Sequence, residues 1–187
     1  MEFVDTHSHL FSEEFDSDRE STIKRALDSK VKTILLPNID LESIVALKEF
    51  AALSPQHCLP MMGLHPCSVN ASTVDYEIVI IEEFHSKRKF VAVGEIGIDL
   101  FWDKTFLKEQ QLAFKHQIQL AKKYQLGINI HCRDAFDVVF EVLESEKATD
   151  LFGIFHCFTG DLGQAQRAMS LGMKLGIGGV ATFKNGK

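Results

Sequence analysis

The feature that most constrains the fold of this chain is a regular alternation between two kinds of segment. Short apolar runs, typical of buried strands, alternate with longer stretches whose apolar residues recur with helical periodicity. The predicted strands cover residues 2–7, 33–38, 59–64, 90–97, 126–132, 152–157 and 172–179. The predicted helices lie between them, over residues 16–30, 41–53, 76–87, 105–125, 135–147 and 161–172.

Strands that alternate with helices pair in parallel through right-handed crossovers, which predicts an α/β fold. Two architectures satisfy this pattern, the (β/α)8 barrel and the open doubly wound sheet. The chain contains neither GxGxxG nor GxxxxGK[ST], so a Rossmann-like nucleotide-binding domain is disfavoured. No linker divides the 187 residues, and we therefore expect a single domain over 1–187.

The charge balance and the cysteines restrict the partners and the compartment. The chain carries 20 Lys and Arg against 26 Asp and Glu, a net charge of −6. This argues against a broad basic surface for duplex DNA, although an acidic pocket that holds divalent cations can still bind phosphates.

No apolar run approaches the ~18 residues that cross a membrane, the N-terminus does not resemble a signal peptide, and no CxxC pair occurs. We expect a cytoplasmic protein with no membrane association and no obligate protein partner.

Histidines or a carboxylate mark the C-terminal ends of five predicted strands. These residues are His7 and His9, His65, Glu95, His131 and His156. In a (β/α)8 barrel the active site lies at these strand ends. In FVDTHSHL, His7 and His9 point to the same side of an extended strand, and their α-carbons lie about 6.5–7 Å apart. Both imidazoles can therefore converge on one cation. Asp5 shares that side, where it could orient a ligand histidine or cap the packing at the barrel floor.

The donor types indicate the metal and the reaction. Imidazole and carboxylate without thiolate suit Zn²⁺, Mn²⁺ or Mg²⁺. Four histidines together with Glu95 exceed the needs of one hydrolytic ion, so we expect two divalent metal ions bridged by Glu95. Such ions lie about 3.5–4 Å apart and stabilise the attacking and leaving oxygens of a displacement. The predicted reaction class is metal-assisted hydrolysis with a metal-activated water as the nucleophile.

Six stretches carry a resemblance to one known family: DTHSHL, GLHP, VGEIGIDLFWD, EQQLAFKHQIQLAKK, INIHCRDAF and FHCFTGD. With these stretches in this order, the chain resembles the TatD-family metal-dependent hydrolases from Phe3 to about Asn185. These are deoxyribonucleases of the amidohydrolase-like TIM-barrel superfamily. The HxH pair alone is a weak signal, whereas GEIGID together with HCFTG is specific. The resemblance implies a TIM (β/α)8-type barrel.

The resemblance also implies roles for individual residues. The implied metal ligands are His7, His9, Glu95, His131 and His156. Glu95 would be catalytic, either bridging two ions or holding one ion and helping to activate water. His65 and Arg133 would lie near the substrate phosphate. The implied activity is that of a 3′→5′ exonuclease that removes nucleotides from the ends of single-stranded DNA or RNA with Mg²⁺.

Several residues around these ligands keep two interpretations each. Arg133 suits a substrate phosphate and equally a salt bridge with Asp134. Asp99 in GIDLFWD either supports the ligands or, as we expect, has a structural role in its loop. Phe101 or Trp102 could stack on a base or form an apolar cover over the site.

The chain departs from the family pattern at its C-terminal end. The family adds an eighth strand that ends in a Thr-Asp pair, whose Asp is a metal ligand or the general base. This sequence stops at Lys187, so we expect a barrel truncated after about the seventh strand, with exposed strand edges. Two alternative functions follow. One is an amidohydrolase-type hydrolase of another small substrate, and the other is a non-catalytic remnant that binds metal or a partner.

Overall fold

The computed structural model describes residues 1–185, and the predicted alternation of strands and helices runs through them. The strands in this range are β1 (Phe3–Asp5), β2 (Val31–Leu36), β3 (Cys58–Pro60), β4 (Ala92–Asp99), β5 (Gly127–Arg133), β6 (Gly153–Phe155) and β7 (Met173–Leu175). The α-helices are α1 (Arg19–Asp28), α2 (Ile44–Leu53), α3 (Val74–Lys87), α4 (Leu107–Tyr124), α5 (Phe136–Ser145) and α6 (Leu162–Ser170). The predicted α/β class is confirmed.

The strands form two parallel sheets whose order follows the chain. The first sheet has the order β1-β2-β3 and the second β4-β5-β6-β7. A bridge between Met62 and Val93 joins the two sheets, and the backbone of Asn38 exchanges hydrogen bonds with Gly94 and Glu95. Within residues 1–185, β1 and β7 are the outer strands and do not pair with each other. All strand C-termini therefore open toward one side of the molecule.

Two apolar clusters hold the helices against the sheets. One packs α4 and α5 on the second sheet and includes Phe114, Phe140 and Phe155. The other packs α2 on the first sheet and includes Leu36 and Phe50. Burial of each such side chain stabilises the fold by about 1.5–3 kcal/mol. No helix among the described residues has the length and apolar character needed to span a membrane.

Several strands are shorter than predicted. The first covers Phe3–Asp5 instead of 2–7, and the last covers Met173–Leu175 instead of 172–179. Both are outer strands, so only one neighbour offers ladder hydrogen bonds. The predicted histidine ends of β1 and β6 fall outside the ladders, because β1 ends at Asp5 and β6 at Phe155.

All eight residues of strand β4 are buried. Such burial on both faces is expected for a parallel strand under helices. The apolar pattern is interrupted by Glu95 and Asp99, which are 1 % exposed each. A buried carboxylate is costly unless it is charge-paired or hydrogen-bonded. The partners of these two residues define the candidate site.

Candidate metal centre

A single carboxylate, that of Glu95, contacts five imidazoles at the C-terminal ends of the strands. Its Oε1 lies 2.7 Å from His156 Nε2, 2.8 Å from His131 Nδ1 and 3.2 Å from His65 Nε2. Its Oε2 lies 3.1 Å from His9 Nε2 and 3.2 Å from His7 Nε2. The structure thus brings together every predicted metal ligand and His65.

An irregularity in the β4–β5 ladder places Glu95 at the centre of this cluster. Val93 pairs with Ile128 and Ile96 pairs with Ile130, so two residues of β4 oppose the single Asn129 of β5. An extra residue of this kind bends a strand and changes the direction of its side chains. Beyond the irregularity, Gly97 has φ +143°, and a Cβ there would lie 2.0 Å from the carbonyl oxygen of His131. Glycine therefore permits the close approach of β4 to β5 beside His131.

The ring of His131 is oriented by a second carboxylate. Its Nε2 lies 2.8 Å from Asp99 Oδ2, and since a carboxylate only accepts, Nε2 carries the proton. In the neutral ring the other nitrogen, Nδ1, is then unprotonated and available as a ligand atom, whereas in the protonated ring it donates to Glu95 Oε1 at 2.8 Å. Asp99 also accepts the backbone N–H groups of Phe101 and Trp102 through Oδ1. Asp99 therefore both organises its loop, as expected, and orients a predicted ligand.

The ring of His7 is oriented by Asn129, which the sequence interpretation missed. Asn129 Nδ2 donates to the carbonyl oxygen of Thr6 at 2.8 Å, so its Oδ1 is the atom 3.0 Å from His7 Nδ1. His7 Nδ1 therefore donates, and in the neutral ring its Nε2, 3.1 Å from His9 Nε2, is unprotonated and available as a ligand atom. Asp5, proposed for this role, instead accepts the backbone N–H of His7 at 3.1 Å. The sequence contained a signal for this role of Asn129. Asn129 and His131 are two residues apart, so both side chains lie on the same side of β5.

His65 differs from the other four histidines. Its Nδ1 accepts the backbone N–H of Cys67 at 3.0 Å, so the neutral ring carries its proton on Nε2. That proton is directed to Glu95 Oε1. Its ring also lies close enough to Glu95 and His131 for these three residues to hold a metal ion. The hydrogen bond from Cys67 nevertheless favours a donor role for His65, and the other four imidazoles stay the predicted ligand set.

The electrostatics of the cluster follow from burial and from Glu95. Burial raises the pKa of Glu95, but hydrogen bonds from His131, His156 and His65 prevail and hold it well below its usual value. Burial lowers the pKa values of His7 and His131, yet their hydrogen bonds to Glu95 raise both overall. Burial dominates at His156 and lowers its pKa to about 4. The site therefore combines an ionised carboxylate with at least one imidazole that stays neutral at neutral pH.

This donor set fits divalent cations. The unprotonated nitrogens of His7 and His131 face Glu95 oxygens, and lone pairs at such distances repel unless a proton or a cation lies between them. In addition, among residues 1–185, His9 Nδ1 is buried without a hydrogen-bond partner. Imidazole nitrogens and carboxylate oxygens are the ligands of hydrolytic Zn²⁺. The second ring nitrogen of a ligand histidine usually donates to a carboxylate or a carbonyl, as seen for His131.

The remaining predicted residue, Arg133, lies at the rim of the site. Its guanidinium carbon is 3.7 Å from the ring centroid of Phe101 and 5.3 Å from that of Trp102. Within residues 1–185 it makes no salt bridge, so the suggested pair with Asp134 is not formed. The role of Arg133 at a substrate phosphate stays a prediction.

Imidazoles gathered around a buried carboxylate at the ends of parallel strands are typical of metal-dependent hydrolases. The family model described as TatD related DNase matches residues 4–187. The uncharacterized metal-dependent hydrolase YabD of Bacillus subtilis is 38% identical over 183 residues, which cover 98% of this chain and 71% of that protein. The chain belongs to the TatD family of metal-dependent hydrolases and is a hydrolase of that type.

Two further comparisons bear on fold and activity. The crystal structure of YjjV, the TatD homologue of Escherichia coli K12, matches with a TM-score of 0.86 at 33% identity and covers 97% of this chain and 70% of YjjV. This likeness confirms the predicted TIM-barrel type of fold. A protein of a Pantoea species named 3′-5′ ssDNA/RNA exonuclease TatD is 28% identical over 171 residues, which cover 91% of this chain and 65% of that protein.

Proposed function

We propose that this hydrolase is a 3′→5′ exonuclease that removes nucleotides from the ends of single-stranded DNA or RNA and uses two divalent metal ions. The observation that carries the proposal is the contact of one buried carboxylate with two groups of imidazoles. Glu95 Oε2 contacts His7 and His9, and Glu95 Oε1 contacts His131 and His156. The site thus has two halves, one with His7 and His9 and the other with His131 and His156. Each half supplies two imidazole nitrogens and one oxygen of Glu95, so Glu95 is suited to bridge two ions.

The residues of the site have distinct tasks in phosphodiester hydrolysis. Divalent cations at the two halves would supply Lewis-acid chemistry and make water a better nucleophile at neutral pH. Asp99 accepts a hydrogen bond from His131 Nε2, and Asn129 Oδ1 accepts one from His7 Nδ1. Both bonds keep the opposite ring nitrogens available as ligands. His65 directs a proton toward Glu95, and Arg133 places a guanidinium at the rim, where it can meet a phosphate.

Two observations support a nucleic-acid substrate. One is the name of the Pantoea relative, a 3′-5′ ssDNA/RNA exonuclease. The other is the charge of the chain, −6, which suits substrate capture through bound cations rather than through a basic surface. We also propose a reducing, cytoplasmic location, because all four cysteines fall in the described range and are free thiols.

The test uses single-stranded oligonucleotides labelled at the 5′ end or at the 3′ end. With Mg²⁺ or Mn²⁺ we expect stepwise shortening of the 5′-labelled strand and immediate release of a labelled mononucleotide from the 3′-labelled strand. A chelator should abolish both signals, and added metal should restore them. Metal titration should give two ions per chain.

The matched control is Glu144→Gln, because Glu144 is an exposed surface residue paired with Arg167. It should keep full activity. Metal-dependent turnover of an aryl ester or amide with intact oligonucleotides would contradict the nuclease and support the amidohydrolase alternative. Metal binding without turnover of either substrate would support the non-catalytic alternative.

A further inference from the structure

Three side chains form an exposed cluster at the rim of the metal centre, here called the aromatic platform: Phe101, Trp102 and Arg133. The rings of Phe101 and Trp102 meet edge to face with centroids 4.9 Å apart, and the guanidinium of Arg133 covers Phe101 at 3.7 Å. Phe101 is 50 % exposed and Trp102 is 72 % exposed. Both rings lie outside the hydrophobic clusters found among the described residues, so core packing does not explain them.

The platform is fixed to the metal centre through Asp99. The Oδ1 of Asp99 accepts the N–H of Phe101 at 2.9 Å and that of Trp102 at 3.2 Å, while its Oδ2 accepts from His131 Nε2 at 2.8 Å. The backbone N–H of Leu100 also donates to the carbonyl oxygen of Arg133 at 2.9 Å. One buried carboxylate therefore holds both a predicted ligand and the backbone of the loop that carries the indole, which fixes where this loop lies relative to the metal centre.

Open space adjoins the indole on the side of Asp99. A cavity of about 190 Å³ is lined by Trp102, Asp99, Cys67, Asn70 and Phe106, among others. Its walls therefore combine an aromatic ring with hydrogen-bonding groups. A flat, partly polar ring system fits such a space better than an aliphatic chain, which would leave the polar walls unpaired.

We infer that Trp102, supported by Phe101 and Arg133, stacks on a nucleobase of the single-stranded substrate and positions its terminal nucleotide at the metal centre. This inference rests on the proposed nuclease function and names the group that recognises the base. Aromatic side chains bind single strands in this way because every base has a π-face, so the platform should tolerate all four bases. The Arg133 guanidinium, stacked rather than salt-bridged within residues 1–185, holds the Phe101 ring in place and keeps its outer N–H groups available.

The chain offers a direct readout, because Trp102 is its single tryptophan. Phosphorothioate-linked oligothymidylate, which resists hydrolysis, should be titrated into the Mg²⁺-loaded protein while the tryptophan fluorescence is followed. An abasic phosphorothioate strand of equal length and charge is the control ligand. We expect quenching by oligothymidylate and little change with the abasic strand. Equal responses to both strands would overturn the inference, since phosphates alone would then explain binding.

Kinetics provide the second measurement. Trp102→Ala should lower kcat/KM for oligothymidylate by about 5- to 150-fold, the fold-change that corresponds to loss of one stacked base, mainly through KM. Trp102→Phe should restore most of it, and the preference of the wild type for oligothymidylate over the abasic strand should disappear in Trp102→Ala. The control variant is Tyr76→Ala, which removes an exposed aromatic residue from α3.

The two proposals fail in different ways. Metal-dependent cleavage of oligonucleotides with no quenching and no effect of Trp102→Ala would overturn the platform and leave the nuclease intact. Base-dependent quenching without any cleavage would support the platform and contradict the nuclease. Trp102 is mostly exposed, so its variants should unfold at the temperature of the wild type.

Discussion

Strands β4 and β1 contribute to the same site from opposite extremes of burial. All eight residues of β4 are buried, whereas β1 has three residues, of which Phe3 and Val4 are 51 % and 56 % exposed. The side chain of Glu95 is 2 % exposed, and that of His9, which follows β1, is 30 % exposed. The buried strand β4 therefore carries the carboxylate of Glu95, whose position is fixed by its surroundings. The histidines that follow the outer strand β1 are more exposed and less constrained.

The hydrogen bonds around the ligands show the same difference. On the second sheet, His131 is held between two carboxylates, so both ring nitrogens have a partner. Next to β1, His7 is held by the neutral amide of Asn129, and His9 Nδ1 has no hydrogen-bond partner in the described part of the chain. Charge-assisted hydrogen bonds are about twice as strong as neutral ones. We conclude that the half of the site built on β4 and β5 is the rigid half.

The largest expected effect comes from removing the shared carboxylate charge. Glu95→Gln should lower both metal affinity and kcat/KM by more than about 100-fold, since both halves of the site lose a ligand. Calorimetric metal titration and the oligonucleotide assay measure the two effects. The exposed variant Glu144→Gln controls for the substitution itself. Retention of one tight metal site in Glu95→Gln would show that the halves are independent.

A smaller effect is expected from loosening the rigid half. Asp99→Asn keeps the shape of the side chain but removes the charge that orients His131, and it should cost about 10- to 100-fold in metal affinity. Asp103→Asn, in the same loop, is the control, because Asp103 is exposed and its carboxylate accepts the N–H of Thr105. If both variants bind metal like the wild type, the orientation of His131 does not depend on Asp99.

A still smaller effect is expected on the side of β1. Asn129→Ala removes one neutral hydrogen bond to His7, worth about 0.5–1.5 kcal/mol, and should weaken metal binding by about 2- to 10-fold. The ratio between this effect and that of Asp99→Asn measures the difference between the two halves. A larger loss in Asn129→Ala than in Asp99→Asn would reverse the comparison.

The smallest effect concerns a histidine that serves packing instead of the site. His85 is buried against Phe90 and Tyr124, and its Nε2 donates to the carbonyl oxygen of Met62. Burial lowers the pKa of His85 below 6.5, so the folded state favours the neutral ring. Its contribution to stability is present above the unfolded-state pKa and is lost as the pH falls through the folded pKa.

The test is urea unfolding of the chelated protein at pH 7.5 and pH 5.5. His85→Gln keeps a donor for Met62 but does not titrate, so the free energy of unfolding should fall less between these pH values than in the wild type. His116→Gln, on the exposed surface of α4, controls for the loss of an imidazole. Identical pH dependence in the wild type and His85→Gln would contradict this role.

Convergence of the site residues could be predicted from the sequence because it depends on periodicity. Parallel strands bring their C-terminal ends together, and residues two apart share a side, which was enough to place His7, His9, His131 and His156 near Glu95. The roles of the neighbours could not be predicted in this way. The suggested pair of Arg133 with Asp134 follows from adjacency in the chain, but in the structure the guanidinium lies on Phe101.

The sequence by itself determined the alternation of strands and helices, the parallel α/β fold and the group of residues that converges, since these depend on local patterns. Only the tertiary structure decided which nitrogen of each histidine is available. That choice depends on partners far along the chain, such as Asn129 for His7 and Asp99 for His131, and on the strand pairing that brings them within 3.0 Å and 2.8 Å. Hydrogen bonds form between neighbours in space, and a local pattern does not contain them.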